Sequence, residues 1–84
     1  MSKLKKLYEQ IARSPKDVDF DKLDKLLRRY GFNCRQPQKG SSHYIYYHPA
    51  LVEILTIPKD RPVKAVYVKN AIEAIEKMQE RSET

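Results

Sequence analysis

Between Phe32 and Ile57 the apolar residues change their spacing, and this change restricts the fold more than any other feature of the sequence. Before it, Leu4, Leu7, Tyr8 and Ile11 fall at i, i+3, i+4 and i+7, and Phe20, Leu23, Leu26, Leu27 and Tyr30 form a second helical stripe. Two helices are expected, from about Ser2 to Arg13 and from about Asp19 to Tyr30. Ser2 suits the N-cap of the first, Ser14-Pro15 stops it, and Gly31 follows the second where a left-handed residue closes a helix. Beyond Gly31 the period becomes two: Phe32 and Cys34 alternate with Asn33 and Arg35. The turn-rich stretch Pro37 to Ser42 separates this strand from a second, His43 to His48, and Pro49 closes the hairpin. Glu53 to Ile57 reads as a third strand, and Pro58 to Pro62 as a basic loop. A last helix places Val68, Ala71, Ile72, Ile75 and Met78 on one face and frays at Arg81 to Thr84. The order α-α-β-β-β-α with hairpin connections predicts an α+β two-layer sandwich, a three-stranded antiparallel sheet with its helices on one side.

An 84-residue chain can bury one core and not two, so residues 1–84 are expected to form a single domain. The lone Cys34 cannot make an internal disulfide, and no cysteine or histidine spacing suits a zinc site, which disfavours a secreted, stapled scaffold. The longest apolar runs, Tyr44 to Tyr47 and Ala65 to Val68, are too short for a signal-peptide core or a membrane span. A cytoplasmic protein without membrane contact is the expectation. There is no phosphate-loop or dinucleotide fingerprint, and no serine in a nucleophile elbow.

The net charge of +6 favours anionic partners, and its distribution is uneven. Residues 1–16 hold five basic and one acidic side chain, 17–34 four of each, 35–69 six and two, and 70–84 two and four. The second positive block comprises Arg35, Lys39, Lys59, Arg61, Lys64 and Lys69, interleaved with Tyr44, Tyr46, Tyr47 and Tyr67. Cations with aromatics between them suit RNA, whose phosphates they neutralise and whose unstacked bases lie on tyrosine rings. The same pattern also fits half-buried sheet tyrosines on a charged, soluble surface.

His43 directly follows Lys39-Gly40-Ser41-Ser42 at the mouth of the hairpin, where sheet structure can hold a side chain that substrate still reaches. RNA cleavage without a metal needs a proton taken from a 2′-hydroxyl, one delivered to the leaving 5′-oxygen, and positive groups around the phosphorane. Histidine performs either transfer near neutral pH. Gly40 permits close approach of backbone to phosphate, and Ser41 and Ser42 can donate hydrogen bonds to it. Strand parity groups His43 with Ile45 and Tyr47, and Tyr44 with Tyr46 and His48. Both sets are bulky and apolar, so parity leaves open which one faces the helices. It does place the two histidines on opposite faces, against a paired-histidine mechanism or a metal site made from them. Cys34 is expected as a small core residue.

Three stretches taken together resemble the HicA family of mRNA interferase toxins: Leu26-Leu27-Arg28-Arg29-Tyr30-Gly31-Phe32, Gly40-Ser41-Ser42-His43-Tyr44-Ile45-Tyr46, and Thr56-Ile57-Pro58 before a basic, helix-starting segment. The similarity covers about Asp19 to Met78. It implies a double-stranded-RNA-binding-like fold for residues 19–78, with residues 1–16 as the extra N-terminal helix of longer members. By motif match the catalytic residue falls on His43, although the usual Gly-Ser-His appears here as Gly-Ser-Ser-His. Where many members carry a second histidine soon after the strand-3 proline, this chain has Lys59-Asp60-Arg61. The resemblance implies a metal-independent endoribonuclease toxin that cleaves mRNA and needs no cofactor. It also implies inhibition by a cognate HicB antitoxin, through which any DNA is contacted. Lys39, Gly40, Ser41, Ser42, Tyr44, Tyr46, Lys59, Arg61 and Lys64 are the expected RNA contacts. The alternative is a non-catalytic RNA-binding module using the same surface; a third reading is a protein-interaction domain whose acidic partner mimics nucleic acid.

Overall fold

A computed structural model describes residues 3–36, 42–60 and 62–82. Its elements are α1 (Lys3–Arg13), α2 (Phe20–Arg29), β1 (Asn33–Arg35), β2 (His43–Tyr47), β3 (Leu55–Pro58) and α3 (Ala65–Ser82). The sheet order is β1-β2-β3, antiparallel throughout. The α-α-β-β-β-α order and the antiparallel pairing are those the apolar spacing predicts, and α2-β1-β2-β3-α3 is the order the resemblance implies.

The helices form where the apolar stripes lie. Ile11 from α1, Phe20, Leu23, Leu26 and Leu27 from α2, and Val68, Ala71, Ile75 and Met78 from α3 are buried in one core with Phe32, Tyr46 and Ile57. Each large aliphatic side chain so removed from water contributes roughly 1.5–3 kcal/mol. The termination of α2 follows from one residue. Gly31 adopts φ +91°, and there its N–H donates to the Arg28 carbonyl (3.0 Å) while Phe32 N–H donates to that of Leu27 (3.0 Å). A side chain at this position would be strained in backbone and crowded, its Cβ 3.2 Å from His48 Nε2.

Two expectations are corrected. The third strand starts at Leu55 and includes Pro58, whereas Glu53 and Ile54 belong to the connection that follows β2. After Pro49 the chain must reverse, and Leu51 N–H donates to the His48 carbonyl (2.9 Å) to make that turn, which takes residues from the strand's start. Pro58 is tolerated because, among the described residues, β3 is an edge strand with no further neighbour to need its missing N–H. The last helix also extends through Ser82, past the point where fraying is expected. Ser2 lies outside the described residues.

Long-range ties hold the layers in place. Tyr46 Oη donates to Asp24 Oδ1 (2.6 Å), joining the central strand to α2, and Arg28 Nε clamps the same carboxylate at 2.9 and 3.1 Å. The linker after α1 pairs with the segment before α3 through a Val18–Val63 bridge, in which Val63 N–H donates to the Val18 carbonyl (2.9 Å). Tyr8 meets Tyr30 edge-on with centroids 6.0 Å apart and donates to Glu76 Oε1 (3.4 Å). The two free sheet edges differ. β1 is three residues long and ends in exposed Arg35, while β3 flanks a groove of about 240 Å³ against α3, with Ile54 57% and Val52 89% exposed beside it.

Candidate active site

Register resolves what alternation alone leaves open. Tyr44 opposes Ile57, and Tyr46 opposes Cys34 and Leu55; these residues face the helices. His43, Ile45 and Tyr47 therefore point to the uncovered face, together with Asn33, Arg35 and Thr56 from the neighbouring strands. His43 is exposed at the start of β2, opposite Pro58. One residue further out, Lys59 N–H donates to the Ser42 carbonyl (2.9 Å), so the ladder continues past His43. Its backbone is held against β3 while its imidazole stays open to solvent.

Arg35 opposes Ile45, which makes it a diagonal neighbour of His43, roughly 7–8 Å away and within reach of a guanidinium. Thr56 stands in the same diagonal relation from β3. The uncovered face thus offers an imidazole, a cation and a hydroxyl around one patch of sheet. Sequence reasoning groups Arg35 with the other cations; only the pairing register brings it to His43.

The remaining expected residues divide. Lys59 turns to the other side, its Nζ 5.9 Å from the Phe20 ring centroid and 6.0 Å from that of Tyr44, whose rings pack at 4.9 Å. This cation over two aromatics lies at the same end of β2 as His43, around the rim. Tyr44 is half-buried and belongs to that rim. Lys64 is exposed beyond the loop, its carbonyl accepting from Tyr67 (3.0 Å) and Val68 (3.3 Å) N–H as α3 begins. Ser42 is exposed beside His43, while Lys39, Gly40, Ser41 and Arg61 lie outside the described residues.

Tyr46 is a correction. It is fully buried, so its ring cannot stack on a base. Burial first, and then its bond to Asp24, push its hydroxyl well above the ordinary tyrosine range, which marks it as a neutral structural donor. Burial likewise raises Tyr30, and raises Tyr8 together with the nearby Glu76 carboxylate. His48 points away from His43, as parity requires. It packs on Phe32 with centroids 5.1 Å apart and accepts Ala50 N–H at Nδ1 (2.9 Å). Cys34 is half-buried against the core. Among the described residues no three His, Cys, Asp or Glu side chains converge as they would around a metal ion.

The family model for the HicA toxin of bacterial toxin-antitoxin systems matches residues 20–76, which is more than half of the chain and spans α2, the whole sheet and most of α3. The chain belongs to the HicA toxin family. It is therefore the toxin of a toxin-antitoxin pair, in a family whose members are ribonucleases, with an antitoxin as partner and RNA as substrate class. The comparisons with curated proteins and with solved structures gave no match. Among the described residues no helix is long and apolar enough to cross a membrane. In this HicA toxin, α1 lies outside the matched residues.

Proposed function

We propose that this HicA chain is a metal-independent endoribonuclease that cleaves mRNA with His43 as general acid or base, and that a HicB-type antitoxin inhibits it. The observation that carries this reading is an exposed imidazole on a backbone held against β3, diagonal to Arg35, within the stretch that matches the family. In the reaction His43 takes the proton of a 2′-hydroxyl as its oxygen bonds to phosphorus, or protonates the 5′-oxygen as its bond to phosphorus breaks. Arg35 on the same face, with Lys59 and Lys64 around the rim, offsets the charge of the phosphorane. Lys39, Gly40, Ser41, Ser42 and Arg61 complete the phosphate contacts, and the half-buried Tyr44 gives an aromatic edge at the rim.

Cleavage of a defined RNA in the presence of chelator, comparing wild type, His43→Ala and Arg35→Ala, tests the proposal. Loss of cleavage in folded His43→Ala with RNA binding retained is the expected result. Near-wild-type cleavage by that variant overturns the assignment, a divalent-metal requirement overturns the mechanism, and tight binding by wild type without any cleavage returns the chain to a binding module.

A further inference from the structure

Six tyrosines are candidate platforms for a base, and the fold withdraws five of them. Tyr8 and Tyr30 pack on each other, Tyr44 packs on Phe20, Tyr46 is fully buried, and Tyr67 is half-buried beside the groove between α3 and β3. Phe20 and Phe32 lie in the core. Tyr47 is thus the one tyrosine or phenylalanine whose ring stands on the uncovered face with His43, and it takes no part in the core. A single exposed tyrosine needs no explanation by itself. Its place in the pairing register supplies one.

His43, Ile45 and Tyr47 project from one face of β2 at alternate positions, which sets the ring about 14 Å along the strand from the imidazole, at about 3.4 Å per residue. Arg35 opposes Ile45 and is therefore diagonal to both His43 and Tyr47, between the two. Asn33 opposes Tyr47 directly and is exposed on the same face. Among the described residues no strand contains a carboxylate, so nothing in the sheet repels an anionic chain laid along β2. The row offers proton transfer, then a backbone cation, then an aromatic ring beside an amide. We infer that Tyr47 and Asn33 form a base subsite, in which a base flanking the cleaved bond stacks on the Tyr47 ring while the Asn33 amide bonds to its edge. The inference rests on the proposed cleavage of RNA at His43. It adds that the substrate is unpaired at that nucleotide, because a base inside a duplex cannot reach a ring. Stacking accepts every base, so Tyr47 supplies affinity; an amide carries a donor and an acceptor side by side, so Asn33 supplies preference. The polar surround of the ring, Asn33 and Arg35, suits a nucleotide better than the apolar centre of a protein interface.

The test follows cleavage at one mapped bond of a defined single-stranded RNA, with the base removed at each flanking nucleotide in turn. Tyr47→Ser is expected to lower kcat/KM on the intact RNA roughly 5- to 150-fold, the range of one base–aromatic stack, mostly through KM. Removing the base at one flanking nucleotide should cost wild type a similar factor and cost Tyr47→Ser almost nothing further, a coupling that a merely structural role would not produce. Tyr47→Phe keeps the ring and should match wild type. Asn33→Ala should flatten the ranking of the bases at that same nucleotide. Equal kcat/KM in wild type and folded Tyr47→Ser, or additive losses at every nucleotide, overturns the subsite and leaves the proposed function standing. So does weaker antitoxin binding by Tyr47→Ser with cleavage unchanged, which makes the ring a protein contact. An unchanged base ranking in Asn33→Ala overturns the part given to the amide. A wild type that cuts no bond overturns both readings.

Discussion

On the covered face of β2, Tyr46 is fully buried and its hydroxyl is spent on Asp24, whereas on the uncovered face its neighbour Tyr47 is 41% exposed. His43 and Tyr44 repeat the contrast three residues earlier, one open to solvent and the other packed on Phe20. The two faces draw on the same residue types, so composition does not separate them; what they are paired with does. A one-sided sheet assigns its covered face to cohesion and leaves its open face free for chemistry. Changes on the two faces should therefore separate, one set acting on rate and the other on stability.

The largest expected effect lies on the open face. His43→Ala should lower the cleavage rate on the order of 10²- to 10⁴-fold while leaving the thermal midpoint within a few degrees of wild type. Rates on a defined RNA together with a melt in the same buffer check it; a large loss of stability would break the division between faces. Next comes the covered face. Tyr46→Ala removes a fully buried ring and one donor to the Asp24 carboxylate, which Arg28 still clamps, and should cost about 3–5 kcal/mol in urea unfolding. Any loss of activity in it should track the unfolded fraction.

Tyr46→Phe keeps the ring and removes only the donor, so a smaller loss of about 1–2 kcal/mol is expected at neutral pH. Its pH dependence is the sharper measurement. The folded-state pKa of Tyr46 lies above its unfolded value near 10, so between the two the unfolded chain has released a proton that the folded chain still holds. That contribution to stability is complete below about pH 10 and is lost as pH rises above it. Urea midpoints from pH 9 to 11 should fall for wild type and fall less for Tyr46→Phe, with Tyr8 and Tyr30 supplying the residual slope. Identical pH profiles would remove Tyr46 from this role. The smallest effect on stability belongs to Tyr47→Ser, on the open face outside the reacting patch. It should stay within about 0.5 kcal/mol of wild-type stability, measured by the same unfolding curves.

The helices and the strand order were legible because apolar spacing alone determines them, and Gly31 marked the end of α2 because few other residues tolerate its φ. The faces were not legible. Ile45 and Tyr47 look as buriable as Tyr44 and Tyr46, and only the cross-strand partners Cys34, Leu55 and Ile57 decide between the sets. Glu53 and Ile54 read as strand because they lead into the apolar, β-branched run to Ile57, yet the connection after Pro49 claims them. His43 became a candidate through its turn and the family resemblance, while the placement of Arg35 beside it depended on a register that no local pattern encodes.

The unequal edges of the sheet bear on how the molecule behaves in a crowd. Leu51 to Ile57 contains one charged residue, Glu53, in a chain whose positive charge is concentrated elsewhere, and Val52 and Ile54 are exposed beside the unpaired side of β3. Segments that are apolar, β-prone and weakly charged template their own kind when their backbone groups are open. Global repulsion from a charge of +6 is screened over about 8–10 Å in physiological salt and so reaches this edge weakly. Colloidal life at high concentration is thus governed by a few residues of bare strand edge rather than by the depth of the core, and the guard they lack is a single lysine at position 54.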